Sequence, residues 1–298
     1  LGDNMTVGIP RSMFYYYFSD KWKYFFEYLK IKTVISPITN RKIMDNGIKL
    51  SSDEMCLSLK NYIGHVDYLK DKCDYILIPR IDNYGYKEQT CTNFLAIYDI
   101  INNIFDVKIL DYNIDLENNQ TELKGLLKLS KTLNKTKKEI KDAYMYSLIK
   151  FKKDKKNKII ENMNMLSSTK TKVLLIGHPY NVYDDLIGKP VIKYLKKLNC
   201  EVIYCDKFDY QNTKEEISKY SENIYWKYSK ENISSLKYLD KVNGVIFLST
   251  FPCGLDSLVN ELVLRKLNKP YLNLILDDLG GIAGMETRIE SFVDIFEN

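Results

Sequence analysis

A chain of 298 residues is too long for one small core and suits two domains of ordinary size. With 45% hydrophobic and 28% charged residues, and no apolar run near the roughly 20 residues that cross a bilayer, it reads as globular and not as membrane-spanning or disordered. The formal charge of +5 gathers in NKTKKEIKDAYMYSLIKFKKDKKNKII, a lysine-rich stretch without interleaved arginines, expected to be a solvated helix face and not a nucleic-acid groove. The start, LGDNMTVGIP, has no basic end ahead of an apolar stretch. No secretory signal is expected there, a cytoplasmic location is, and Leu1–Asn4 ahead of Met5 read as an added remnant.

Short apolar, β-branched runs then alternate with amphipathic helical stretches: TVGIP, TVISP, YILIPRI and KILDYNI first, KVLLIGHP, EVIYCDKF, GVIFLST and YLNLILDD later. Each reads as a strand, in two groups of four. Apolar strands separated by helices indicate parallel sheets covered on both faces and joined by right-handed crossovers. The expected fold is therefore α/β, with two Rossmann-like or flavodoxin-like lobes. From about Asn118 to Thr169 no strand signal occurs, and residues such as Leu126, Leu129, Leu133, Ile140, Tyr144 and Leu148 follow mixed three- and four-residue spacing. That spacing predicts a helical connector packed on one lobe. The expected division is a first lobe over 1–118, a connector over 119–169 and a second lobe over 170–298. No internal repeat stands out, although both lobes follow one plan: strand, then IP or HP, then helix. Ligands of open α/β sheets bind beyond the carboxyl ends of the strands, so the site is expected in the cleft between the lobes.

Six cysteines without the dense spacing of a disulfide scaffold suit a reducing compartment. Cys73 precedes a strand, while Cys200 and Cys205 bracket EVIY, and all three read as packing residues. Cys56 in SSDEMCLSLK, Cys91 in EQTCTNF and Cys253 in TFPCGLD stand instead at helix starts on the strand-carboxyl side. Unsatisfied amides and the positive end of the helix dipole stabilise a thiolate there, and a thiolate can attack a substrate or hold a metal as well as pack. His65 and His178 are the two histidines, and no spacing demands a Cys253–His178 nucleophile pair. No Cys-x-x-Cys occurs, so a zinc ribbon and a ferredoxin-type run are both excluded. Three separated thiolates with an open position suit an iron–sulfur cluster better than structural zinc. GGIAGMETR, with Gly280, Gly281 and Gly284, can cradle a phosphate or simply turn the chain; it is neither a dinucleotide fingerprint nor a Walker loop. Asp53 and Glu54 read as helix-start carboxylates, and His178, Asn181 and Asp184 of the HPYNVYDD loop are cleft candidates by position.

The words around the cysteines carry a resemblance. VGIPRSMFYYYFSDKWKYFFEYLKIKTVISPITNRKIMDNGIKLSSDEMCLSLKNYIGHVDYL, YILIPRIDNYGYKEQTCTNFLAIYDII, GHPYNVYDD and CGLDSLVNELVLRKLNKPYLNLILDDLGGIAGMETRIESFVDIF closely resemble the acyl-CoA dehydratase activase-related proteins. That group is similar to 2-hydroxyacyl-CoA dehydratase subunits and double-cubane cluster proteins. The resemblance covers almost the whole chain outside the connector. It implies that Cys56 of DEMC, Cys91 of TCTNF and Cys253 of PCG hold an iron–sulfur cluster, 4Fe-4S or double-cubane 8Fe-9S, of a kind lost in aerobic preparations. It also implies an ATP-dependent iron–sulfur activator as partner, with a second dehydratase-like subunit or a second copy of the chain beside it; on charge and hydropathy, neither nucleic acid nor membrane is expected. The function so implied is a redox protein accepting low-potential electrons to reduce or dehydrate a small or acyl-CoA substrate, as a lyase or a cluster-dependent reductase. The alternative is a non-catalytic accessory subunit of such a system. Asp277 and Asp278 keep the acidic pair of the family pattern, whereas Leu279 replaces its histidine, and Ser58 and Thr92 replace prolines after two of the cysteine words.

Overall fold

A computed structural model of the chain describes residues 5–278 and 282–296, without the side chains of 282 and 283. Two compact units emerge, Leu1–Asp154 and Lys155–Asn298. The first contains β1 (Thr6–Ile9), α1 (Phe14–Tyr28), β2 (Lys32–Ile35), α2 (Arg41–Lys49), α3 (Leu57–Leu69), β3 (Tyr75–Leu77), β4 (Arg80–Asn83), α4 (Thr92–Ile104), β5 (Ile109–Leu110), β6 (Asn113–Asp115) and α5 (Glu122–Lys128). The long α6 (Lys137–Leu166) crosses the boundary between units. The second unit continues with β7 (Lys172–Ile176), α7 (Pro179–Val182), α8 (Gly188–Lys197), β8 (Glu201–Tyr204), α9 (Tyr210–Thr213), α10 (Lys227–Ser234), β9 (Gly244–Thr250), α11 (Gly254–Leu264), β10 (Tyr271–Leu276) and α12 (Ile282–Asp294).

Each unit is built on a four-stranded parallel sheet. The strand order is β2-β1-β3-β5 in the first and β8-β7-β9-β10 in the second. Numbered within its own lobe, each order is second, first, third, fourth, so the two lobes have the same topology. The repeat that the residues do not display is present in the chain path. Two of the expected strands divide: YILIPRI becomes β3 and β4, and KILDYNI becomes β5 and β6, with β4 and β6 pairing as a separate two-stranded sheet. Pro79 lies at the first break, where it has no N–H to give to a ladder. Ile78 and Arg80 on either side donate to Leu110 and Tyr112, each at 3.0 Å.

The apolar character of the second-lobe strands follows from burial on both faces. Val173, Leu175, Val202, Ile246 and Leu248 pack toward α8 and α12, while Leu174, Ile176, Ile203, Val245 and Phe247 pack on the opposite side. In the first lobe, α2 and α3 cross at Gly47 and Gly64. A Cβ on Gly47 would overlap the carbonyl oxygen of Lys60, and one on Gly64 that of Ile43, so only glycine allows these two backbones to touch. That crossing fixes α3 and with it the position of Cys56.

The stretch expected as a connector holds α5 and α6, and the division between units falls inside α6, not at either end of it. Ile140, Ala143 and Ser147 are buried along its first half, and Asp154 accepts from the Tyr24 hydroxyl at 2.6 Å. In its second half Asn162 bonds the backbone of Tyr204 and Lys207, and Leu166 enters the core of the second lobe. Among the described residues no helix is long and apolar enough to cross a membrane.

Candidate functional site

Cys56, Cys91 and Cys253 occupy the N-cap positions of α3, α4 and α11, and all three are half-buried. Two stand in the first lobe and one in the second. In the first lobe the Asn93 side-chain amide donates to Cys56 Sγ at 3.6 Å, which brings the starts of α3 and α4 together. In the second, Cys253 Sγ accepts the Asp256 N–H at 3.4 Å; of the three, this thiol caps its own helix. A sulfur so placed faces the positive end of an eleven-residue helix.

Asp256 has a second role that sequence reasoning passes over. Its Oδ1 lies 3.0 Å from His178 Nε2, both residues are buried, and the His178 ring stacks on Tyr180 at 4.9 Å between centroids. His178 caps α7 after β7, and Asp256 opens α11 after β9, so the pair bridges the carboxyl ends of adjacent strands. Strand order reverses there, at the switch point where open α/β sheets bind ligands. A fixed histidine–carboxylate pair beside a helix-start thiol can hold a proton in a defined place and favour an anion in front of it. The local signal for Asp256 is a carboxylate in the first turn of a predicted helix; its partner stands 78 residues earlier, beyond the reach of spacing arguments.

The remaining candidates are less central. Asp184 is fully buried, and its Oδ1 accepts the N–H groups of Leu186 and Ile187 at 2.9 and 3.2 Å, fixing the turn ahead of α8. Asn181 is buried within α7 and donates its backbone N–H to His178 O at 2.8 Å. Asp277 is exposed and Asp278 half-exposed just after β10. Asp53 and Glu54 are exposed ahead of α3. Leu1–Asn4, Leu279, Gly280 and Gly281 lie outside the described residues, and with them the phosphate-cradle reading. Cys73, Cys200 and Cys205 turn their sulfurs onto backbone carbonyls, and burial pushes the Cys205 thiol well above the ordinary thiol range. His65 lies inside the first lobe with Nδ1 2.8 Å from Ser36 Oγ and Nε2 3.0 Å from Thr39 Oγ1. Burial, and secondarily the Arg11 charge, lower its pKa to about 3, which keeps the ring neutral.

Two parallel sheets of one topology, each with a cysteine-capped helix after its third strand, define a two-lobed α/β protein of the doubly wound type. The chain belongs to the family described as CoA enzyme activase uncharacterised domain (DUF2229), whose family model matches residues 6–208. No curated protein matches it. Among solved structures it is similar to one described as "Crystal structure of ZnuA", with 11% identity over 99% of each chain and a TM-score of 0.28, a likeness too slight to carry any argument.

The family corrects three expectations. It is that of the activase, so the reading of the chain as the iron–sulfur redox protein that an activator serves is overturned. The expected partner, an ATP-dependent activator, is overturned by the same match, because the family is itself described as the activase. The iron–sulfur and double-cubane assignments fail as well: among the described residues no three His, Cys, Asp or Glu side chains stand together to hold a metal ion. Helix-start placement had supported those assignments, but capping is a property that each cysteine has singly, and it does not gather ligands. No chemical step is therefore routed through a cluster.

Proposed function

We propose that the chain works on the activator side of a system whose enzyme acts on CoA thioesters, with the second-lobe switch point as its working site. The family match over residues 6–208 carries the activator reading, and the His178–Asp256 bridge supports the choice of site. The resemblance of the sequence words to acyl-CoA dehydratase activase-related proteins supports a thioester enzyme as the object of activation. The roles within the site follow from its chemistry. The α11 N-terminus is its electropositive end, capped by the Cys253 sulfur, while the Asp256 carboxylate holds the orientation of the His178 ring. The chain has no Gly-Lys-Ser or Gly-Lys-Thr run, so no residue here is assigned to ATP hydrolysis.

The test is turnover of a CoA thioester by a clarified extract of cells lacking this chain, with the purified protein and ATP added back singly and together. Turnover should rise with added protein and only when ATP is present. Asp256→Ala, checked for fold by circular dichroism, should restore markedly less. Turnover that stays flat at saturating protein and ATP would defeat the activator reading.

A further inference from the structure

Asp256 also lines a cavity of about 10 Å³ between α10 and α11, together with Ser229, Asn232 and Asn260 and the apolar Leu248 and Val259. Ser229 is buried, and its Oγ is shut off from solvent without a hydrogen-bond partner among the described residues. The next two serines of the chain are satisfied. Ser234 donates its hydroxyl to Glu231 O at 2.8 Å, and Ser235 donates to Asn232 O at 2.5 Å. A buried hydroxyl with no partner is costly, and native structures satisfy such groups with protein or with ordered water.

Two other residues of the same cavity have hydrogen-bonding capacity to spare. Asp256 commits Oδ1 to His178, and its Oδ2 makes no hydrogen bond among the described residues. Asn232 commits Oδ1 to the Cys205 S–H at 3.4 Å, which leaves its Nδ2 as a donor. A single water needs roughly 10–15 Å³ and about two to four polar partners. The cavity therefore takes one water and no second.

We propose that one internal water binds in this cavity and that Ser229 acts through it as a positioning residue for the His178–Asp256 pair. The water accepts from Ser229 Oγ and Asn232 Nδ2 and donates to Asp256 Oδ2. Both oxygens of the carboxylate are then engaged, Oδ1 by the imidazole and Oδ2 by the water. A carboxylate held at both ends resists rotation, so the ring that depends on it keeps one orientation. Any consequence for turnover rests on the working-site reading proposed above, whereas the water and the restraint on the ring do not.

The test uses the intact protein in two measurements, neither of which involves turnover, so its outcome is separable from that of the extract assay. An atomic-resolution crystal structure should show one water within hydrogen-bond distance of both Ser229 Oγ and Asp256 Oδ2. No water there, or one that reaches only Ser229, would overturn the bridge. In nitrogen-15-labelled protein, solvent exchange of the His178 ring N–H that faces Asp256 should be several-fold faster in Ser229→Ala than in wild type. Ser234→Ala removes a satisfied hydroxyl of the same helix outside the cavity and should leave that rate unchanged, each variant being checked for fold by circular dichroism. Exchange unaltered in Ser229→Ala, or accelerated as much by Ser234→Ala, would mean that Ser229 merely packs and would overturn the positioning role.

Discussion

The two lobes share a chain path but differ at equivalent points of it. After the third strand of each, a cysteine caps a helix: Cys91 starts α4 and Cys253 starts α11. Three residues further on, the first lobe has Phe94, buried and packed edge-on against Phe14 at 4.6 Å, where the second has Asp256 bonded to His178. The histidines differ in the same sense. His65 is enclosed by two hydroxyls and held neutral, whereas His178 meets a carboxylate at a helix start. One rim is thus knitted by apolar packing and the other by ionisable groups, although the topology beneath them is the same. The fold provides the place, and the third residue of one helix decides whether chemistry can occur there.

The largest effect that sharpens this contrast is the pH dependence arising from His65. Its pKa is 6.5 in an unfolded chain and about 3 in the folded one. As pH falls through 6.5 the unfolded state takes up a proton that the folded state refuses until near pH 3, so stability is intact above 6.5 and drains away between those values. One proton over that interval amounts to about 5 kcal/mol at most. His65→Gln keeps a neutral side chain that can reach both hydroxyls. Urea unfolding from pH 7 to pH 4 should show a distinctly shallower loss of stability for the variant. Parallel profiles would mean that His65 titrates normally and is not a neutral strut.

Next in size is Gly64→Ala, which drives a methyl group into the Ile43 carbonyl across the α2–α3 crossing. A loss of about 3 kcal/mol is expected, confined to the first lobe. Calorimetry should separate one early transition from an unchanged later one. A single transition, displaced as a whole, would show that the lobes do not unfold independently.

Much of this architecture can be read from the residues, for physical reasons that also mark where reading stops. Strands such as KVLLI and GVIFLST are apolar throughout because helices cover both their faces, and that pattern survives in one dimension. The cysteine caps are legible because each falls between turn residues and a periodic run. Pro79 was in plain view as a ladder breaker, yet YILIPRI is apolar enough to pass for one strand. The division inside α6 was not legible, since one continuous helix serves Tyr24 with one half and Tyr204 with the other. Nor was the His178–Asp256 bridge: adjacency of β7 and β9 creates it, and adjacency is a property of the sheet and not of the spacing. The cluster reading failed for a related cause, because a shared local environment at three caps says nothing about whether they share a centre.

The smallest effect concerns reactivity alone and tests whether the second-lobe rim differs from its own core. Cys205 and Cys253 belong to the same sheet. Cys205 is fully enclosed, with its S–H directed to Gly177 O and Asn232 Oδ1, and burial raises its pKa. Cys253 is half-buried, and its sulfur accepts an amide N–H at the start of α11. An amide donor and a helix dipole both favour thiolate, whereas enclosure favours thiol and bars the reagent. Iodoacetamide at neutral pH, followed by peptide mass spectrometry, should therefore modify Cys253 at least about tenfold faster than Cys205. Pro252 and Gly254 flank the cap, so substituting Cys253 by serine should remove the reactive site without moving the helix. If Cys205 reacts as fast as Cys253 in native protein, local opening exceeds any electrostatic preference, and the switch point of the second lobe has no claim to special thiol chemistry.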